Sequence, residues 1–465
     1  MSLATKIYNH SPLFLQNILV SIYGWQWIRR RFGGIFEKTL KEFKERELFT
    51  KQQWEEYTLQ ELRKILLRAY DVADYYTYSF GDINLDEDDL RDINFETFRK
   101  LPFLEKEHLR KWGKKDIMNQ KCKERTFFDS SGTTGTPISI LYTKDMHQRW
   151  SAAYEARVRN WAGVDRHMSR GMIGGRRVVP EGEAKPPYYR YNTIEKQVYF
   201  SAYHISRNTV ANYVEGIKKY KPDYMVGYAM SNYLLARFID EQKLTVPKLK
   251  AVITSSEKLT IEMRETFQKV YGCKTYDGWS GVEACGLVSE CEHGKLHVSP
   301  DVGYIELLDK EGNPVNPGET GEVVCTGFLN YDQPLIRYRI GDYMTLSANQ
   351  SCKCGRQMPI IDEIIGRTED VVIGKDGREM VRFHGVFIGM DKIIMGQVVQ
   401  ENLDTITLNI VSESPLDITD KEILTKRIYS QLGEVNVQIF ELKEITCGAN
   451  GKYKAVISKV KRSDL

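Results

Sequence analysis

From residue 35 to about 118 the apolar positions recur with a helical period. Trp54, Leu59, Leu62, Ile65, Leu66 and Ala69 fall close to every 3.6 residues, the spacing that turns one face of a helix into a core. The pattern then changes. Arg125-Thr126-Phe127-Phe128 reads as a strand, and Ile138-Ser139-Ile140-Leu141-Tyr142 alternates apolar and polar as a second strand. From Met146 to about Tyr271, helical patterns alternate with short apolar runs such as Met172-Ile173-Gly174 and Ala251-Val252-Ile253, which predicts a mixed or parallel α/β sheet. Residues 298–346 are β-rich, with strands at 303–308 and 321–326 between Gly/Pro/Asn turns. Gly366-Arg367-Thr368-Glu369-Asp370 marks a boundary. Beyond it, 405–411 reads as a strand, 420–432 as a helix and 436–442 as a strand, a compact α+β domain. The expected organisation is a helical region over 1–75, a large α/β domain with a β subdomain over 76–366, and a small α+β domain over 367–465.

The N-terminal residues 11–28 are apolar, with Gln16, Asn17, Ser21 and Gly24 interrupting, and Arg29-Arg30-Arg31 follows. The run is short and polar for a spanning helix. Trp25 and Trp27 beside three arginines fit a helix lying in a membrane interface, a peripheral contact. They equally fit a helix packed on the main domain or in a homodimer interface.

Composition narrows the class. Across 465 residues, 42% are hydrophobic and 28% charged, as in a globular protein. A formal charge of +3 on this length does not suggest a nucleic-acid partner. Eight cysteines, several in short-spaced pairs, do not form a secreted disulfide framework, so a cytoplasmic, reducing location is expected. The first apolar stretch lacks a signal peptide's charged n-region and small-residue cleavage site.

The richest chemistry lies between the two early strands. Asp129-Ser130-Ser131-Gly132-Thr133-Thr134-Gly135-Thr136-Pro137 can turn backbone N–H groups and hydroxyls toward a polyphosphate. It has no Lys, so it is not the G-x-x-x-x-G-K-[ST] loop. A hairpin carrying a phosphate grip and an ordinary Ser/Gly linker both fit. Cys291, His297, Cys352 and Cys354 could form a closed Cys₃His zinc set, which is structural, although C-x-C is tighter than usual zinc spacing. His293 competes with His297. Cys122, Cys273, Cys285, Cys325 and Cys447 read as ordinary buried thiols.

Taken in order, the Ser/Thr/Gly loop, Pro334-Leu335-Ile336-Arg337-Tyr338-Arg339-Ile340-Gly341-Asp342, the Gly-Arg-x-x-Asp boundary and a late Gly451-Lys452 resemble the adenylate-forming acyl-CoA ligases. Within them the chain is similar to the phenylacetate–CoA ligase branch, including its capsular-polysaccharide-associated members, over most of residues 95–460. The resemblance implies a large α/β adenylating domain with a β subdomain, and a mobile α+β domain hinged near Glu369 and Asp370. It implies attack of a small carboxylic acid on the α-phosphate of ATP, with Mg²⁺ bridging phosphate oxygens, release of pyrophosphate, and transfer of the acyl group from AMP to coenzyme A. Transfer to an amine of a polysaccharide precursor is an alternative, as is a zinc-stabilised binding protein on a ligase scaffold.

Carried over by motif, Ser130, Ser131, Gly132, Thr133, Thr134 and Gly135 would hold the β- and γ-phosphates. Asp342 would accept the ribose hydroxyls, and Arg367 would lie near ribose and phosphate. Asp342 can also be read as a turn residue after a strand. Ser256 and Glu257 resemble the adenine-contacting segment, though a Ser there is also an ordinary helix N-cap. Gly227-Tyr228-Ala229-Met230-Ser231 resembles the acyl-pocket segment, with Ala229 where Pro is common. Asp277, Gly278, Trp279 and Ser280 occupy the family's Tyr-Gly-x-Ser/Thr-Glu segment, but the Glu that binds Mg²⁺ falls on Gly281. Glu283, two residues on, would supply that carboxylate, or the metal would be held otherwise. Lys452 would stabilise the adenylation transition state, with Lys454 as its neighbour control. Some members of the branch carry a zinc site arranged like the Cys₃His set.

Overall fold

The computed structural model describes residues 3–130, 138–180, 185–367, 372–375, 379–380, 386–387, 390, 392–446 and 454–460. Helices come first, as their periodicity requires: α1 (Leu3–His10), α2 (Leu13–Phe32), α3 (Phe36–Arg46), α4 (Lys51–Val72), α5 (Asp74–Gly81), α6 (Glu87–Arg91), α7 (Phe95–Phe98) and α8 (Lys106–Trp112). In α4, the Thr50 hydroxyl accepts from Gln53 N and the Gln53 side chain accepts from Thr50 N, a capping box. Such a cap contributes about 1 kcal/mol. The buried stripe of α4 runs Trp54, Thr58, Leu62, Ile65, Leu66 and Ala69. Leu59 is only half-buried, because the 100° step per residue turns Thr58 inward in its place.

A hairpin follows, β1 (Phe127–Asp129) with β2 (Ser139–Leu141), paired antiparallel as their alternation predicts. Then come α9 (Lys144–Tyr154) with a π-helical turn at Glu155–Arg159, β3 (Arg170–Gly174), β4 (Tyr189–Asn192), β5 (Gln197–Ser201), α10 (Val210–Tyr220), β6 (Tyr224–Tyr228), α11 (Ala229–Glu241), β7 (Ala251–Ser255), α12 (Ile261–Tyr271) and β8 (Lys274–Trp279). The sheet continues through β9 (Val288–Glu290), β10 (Leu296–Val298), β11 (Gly303–Leu308), β12 (Thr320–Gly327), β13 (Tyr338–Leu346) and β14 (Ile360–Arg367).

Twelve of these strands form one sheet in the order β11-β12-β13-β14-β10-β9-β8-β7-β6-β3-β5-β4. The β-rich stretch read at 298–346 therefore continues the main sheet edge to edge. Strands β5, β3, β6, β7 and β8 are parallel neighbours, and α10, α11 and α12 make the crossovers from β5 through β6 and β7 to β8. Their carboxyl ends, Gly174, Ser201, Tyr228, Ser255 and Trp279, lie at one edge, where open α/β sheets bind ligands.

The chain divides into two compact units, residues 1–340 with 344–364, and residues 341–343 with 365–465. In the second unit lie β15 (Val372–Ile373), β16 (Glu379–Met380), β17 (Ile393–Asn402), β18 (Thr405–Ser412), α13 (Ile418–Leu432), β19 (Asn436–Glu441) and β20 (Val456–Ser458). A four-stranded sheet runs β19-β18-β17-β20. Leu424, Ile428 and Leu432 of α13 are buried in the apolar core of this unit.

Helix α2 packs one face on the first unit. Asn17 Oδ1 accepts from Tyr191 N at 2.9 Å and Ser21 Oγ from Thr193 N at 3.1 Å. The Arg29-Arg30-Arg31 triplet is divided between faces. Arg30 Nη2 donates to the Tyr142 carbonyl at 2.5 Å, and Arg31 pairs with buried Glu195. Arg29 is exposed, 4.7 Å over the Trp25 ring. No helix among the described residues is long and apolar enough to cross a membrane.

Candidate active site and metal centre

Residues 131–137 lie outside the described residues, and with them Ser131, Gly132, Thr133, Thr134 and Gly135. The neck of their loop is closed by Ser130. Its N–H donates to the Ile138 carbonyl at 2.9 Å, and its hydroxyl accepts from Ile138 N at 3.1 Å. Behind the hairpin, Phe128, Tyr142, His147 and Trp27 form an aromatic cluster with centroids 4.7 to 5.8 Å apart. Burial pushes His147 down to about 3, with the Arg31 and Arg30 cations adding to the shift, so its ring is neutral.

Tyr142 ties this hairpin to the 281–283 segment, its hydroxyl donating to the Val282 carbonyl at 2.7 Å. The next residue, Glu283, is buried, with Oε1 3.3 Å from the Tyr338 hydroxyl. Its other oxygen, Oε2, lies 2.2 Å from where a Cβ on Gly281 would stand. The carboxylate from position 283 thus fills the space into which a side chain at 281 would project. Ala284, at φ 46°, holds the left-handed backbone that folds the segment back. Burial raises the Tyr142 phenol well above its ordinary range, and the negative Glu283 adds to the effect.

At the end of β7, Ser256 adopts φ 71°, an uncommon conformation for a residue with a side chain. It does not cap a helix: the N-cap of α12 is Thr260, whose hydroxyl accepts from Met263 N. Glu257 Oε2 accepts from Met230 N at 2.8 Å, bridging the ends of β7 and β6. Tyr228 is pushed up to about 12 by burial, with Glu257 contributing. On β8, Asp277 is pushed up to about 7, by burial first and then by Glu290, while Arg264 opposes the shift. Arg264 engages both Glu290 oxygens at 3.0 and 2.7 Å, and Glu290 Oε2 accepts from Asp277 N at 2.8 Å. Gly278 N donates to Asp277 Oδ1 at 3.0 Å, Trp279 is buried, and Ser280 Oγ donates to the Gly286 carbonyl at 2.8 Å.

Asp342 is buried on β13, inside a strand and not in a turn. Arg337 of the same motif has a structural place. It is buried, paired with Glu306 at 3.0 and 3.1 Å, and donates to the carbonyl of Leu101. Strand β14 ends at Arg367. The Arg367 side chain lies outside the described residues, as does Lys452.

Cys291, His297, Cys352 and Cys354 converge, with one ligand atom from each within 4.8 Å of all the others. Cys291 Sγ lies 3.7 Å from Cys352 Sγ, and Cys354 Sγ lies 3.4 Å from His297 Nε2. A tetrahedral ion with about 2.3 Å bonds to sulfur and about 2.0 Å to nitrogen has edges of about 3.8 and 3.5 Å. The donor set and its spacing therefore fit zinc. Burial holds His297 down to about 4, so the imidazole is neutral and ready to ligate. Burial pushes Cys291 up to about 12, a penalty that a bound cation removes. His293 is exposed and offers Cys291 Sγ only its backbone N–H, which eliminates it as the fourth ligand. Among the other thiols, Cys273, Cys285 and Cys325 are buried and Cys122 is half-exposed, contrary to its reading as buried; Cys447 lies outside the described residues.

The cluster is walled by Trp54 and Trp161. Arg356 stacks 4.4 Å over Trp161 and ties Glu292, beside Cys291, to Glu47 at the end of α3. Sequence reasoning missed Tyr142, Tyr338, Glu290 and Trp161. Tyr142, as the residue closing the second hairpin strand, and Tyr338, inside the Pro334–Asp342 motif, carried a signal.

The profile of the CapK C-terminal domain family matches residues 372–459. Protein CapK of Staphylococcus aureus is 25% identical over 98% of this chain and 99% of its own. Phenylacetate-coenzyme A ligase of Pseudomonas putida is 26% identical over 68% of this chain and 71% of its own. Among solved structures, 2-hydroxyisobutyryl-CoA ligase in its postadenylation state, bound to an acyl-AMP, superposes with a TM-score of 0.70 at 20% identity, over 90% of this chain and 92% of that one. The chain is thus a homologue of CapK and of the phenylacetate–coenzyme A ligases, with a CapK-type C-terminal domain and the fold of the adenylate-forming CoA ligases.

Proposed function

We propose that the protein is an AMP-forming carboxylate ligase. A carboxylate oxygen attacks the α-phosphorus of ATP in line, the bond to the β-phosphate oxygen breaks, and pyrophosphate leaves. The acyl group then passes from AMP to an acceptor. Such chemistry needs charge neutralisation and positioning more than covalent help. Ser130 to Gly135 would grip the phosphates, Ser256, Glu257 and the Asp277–Ser280 segment the adenine, and Asp342 and Arg367 the ribose. Lys452 would meet the charge that builds at the carboxylate and α-phosphate. Magnesium would be held by Glu283 and would neutralise charge on the phosphate oxygens.

The single observation carrying this reading is the fold-back of Glu283. Its carboxylate fills the space above Gly281, in the segment that Tyr142, at the base of the phosphate-type hairpin, ties down through the Val282 carbonyl. A glycine at the expected acidic position therefore does not argue for a decayed scaffold. The Cys₃His centre would hold zinc structurally, which requires reduced thiols and supports a cytoplasmic location.

Coenzyme A is the default acceptor. An amine of a polysaccharide precursor is kept as a second reading for one reason. The likeness to phenylacetate–CoA ligase covers about two thirds of the chain, whereas that to CapK runs through the C-terminal domain as well. The test supplies ATP, Mg²⁺ and a carboxylate panel and reads pyrophosphate. Adding coenzyme A or a free amine then separates the acceptors. A protein that releases no pyrophosphate with any carboxylate is a binder.

A further inference from the structure

Helix α2 turns an apolar stripe directly away from the fold. Phe14, Ile18, Ile22 and Trp25 recur every three or four residues and are 67, 48, 52 and 49% exposed. The packed residues Gln16, Gly24 and Trp27 lie on the opposite side of the helix. The turn between β4 and β5 extends the stripe with Ile194, 49% exposed, held against α2 by the Thr193 N to Ser21 Oγ bond. A shallow groove lined by Ile18, Ile22, Trp25 and Ile194 joins the two elements.

Charge decides what covers this face. The chain carries no Asp or Glu before Glu37. Arg29 ends the stripe and is exposed over Trp25, and exposed Lys196 adjoins Ile194 across the buried Glu195. A second copy would bring another acid-free face and give these cations no counter-charge. An anionic lipid surface supplies both an apolar layer for the stripe and headgroup charge for Arg29, with Trp25 at the boundary between them.

We propose that the outward face of α2, with Ile194, is a docking surface for an anionic phospholipid bilayer. The contact is peripheral and is made by four or five side chains and one or two cations. It stands independently of the proposed ligase chemistry.

The full chain is mixed with vesicles of phosphatidylglycerol and phosphatidylcholine, or of phosphatidylcholine alone, and sedimented. Wild type is expected on the anionic vesicles and released by about 0.5 M salt, where charge is screened within a few ångströms. Phe14→Ser/Ile18→Ser/Ile22→Ser is expected to weaken partitioning by about tenfold or more, and Arg29→Gln to weaken it at low salt only. These residues leave the packed face of α2 untouched. Should the triple variant lose its cooperative melt, Trp25→Ser and Arg29→Gln carry the test. Wild type left in the supernatant, or a triple variant that binds as wild type does, overturns the proposal. So does a wild-type dimer that the triple variant dissolves without any vesicle binding, which would assign the face to a second copy.

Discussion

Cys354 Sγ and His297 Nε2 face each other at 3.4 Å, close to the edge of a tetrahedral zinc site. The native protein is therefore expected to carry about one zinc per chain. Cys352→Ser/Cys354→Ser should lose the metal, lower the melting temperature and change the tryptophan fluorescence, because Trp54 and Trp161 wall the cluster. Elemental analysis that finds no zinc in native protein, or full zinc in the double variant, contradicts the assignment.

Glu283 is expected to replace an acidic side chain at position 281. Glu283→Gln should slow pyrophosphate release by about a hundredfold or more and raise the Mg²⁺ concentration needed, as losing one charge-stabilising group does. Gly281→Glu combined with Glu283→Gly should recover part of the rate, since Glu283 Oε2 occupies the space where a side chain at 281 would begin. An unchanged Mg²⁺ response in Glu283→Gln places the metal elsewhere.

Much of this architecture was legible in the chain. Hydrophobic pattern located α4, β11, β18, α13 and β19; the two helices each bury one continuous stripe, whereas β11 and β18 bury neighbouring residues and β19 is at most half-buried. The Cys₃His set was legible as residue types, but only the fold could choose His297 over His293, which differ in burial and not in chemistry. The arginine triplet left both an interfacial and a packed helix open, and helical rotation divides it: Arg30 and Arg31 turn inward and Arg29 outward. The relation of Glu283 to Gly281 depends on a left-handed Ala284, which nothing in the residue type announces. Tyr338 reaches Glu283 from a strand 55 residues away, a contact without local signal.

Two titratable groups should shape stability in opposite directions. His147 is held at about 3, below its ordinary 6.5, so the fold keeps it neutral. Its contribution is full above pH 6.5 and is lost as pH falls toward 3. Asp277 is raised from 3.8 to about 7, so the fold favours its acid form, and that contribution is lost as pH rises from about 4 through 7. Melting temperatures from pH 4 to 8 should show His147→Phe less acid-labile than wild type. Asp277→Asn should gain relative to wild type as pH rises. A difference from wild type that stays constant with pH in either variant removes that residue from the account.

Lys452 is expected to serve one half-reaction. Lys452→Ala should slow acyl-AMP formation by orders of magnitude, because its charge would act in a site poor in water. Attack of a thiol or amine on preformed acyl-AMP should survive, if the C-terminal domain moves the lysine away for the second step. Lys454→Ala should change neither. Equal losses in both assays, or for both lysines, reject the role.

Carboxylate activation through AMP is tested most directly by product identity in the absence of any acceptor. The purified protein is given ATP, Mg²⁺ and a carboxylate library, and the nucleotides formed are read by mass spectrometry. The expected result is one acid, or a narrow set, converted to acyl-AMP with an equal amount of pyrophosphate, and loss of both products in Asp342→Ala. Formation of ADP, AMP release that does not depend on the acid, or no nucleotide product with any acid would contradict it.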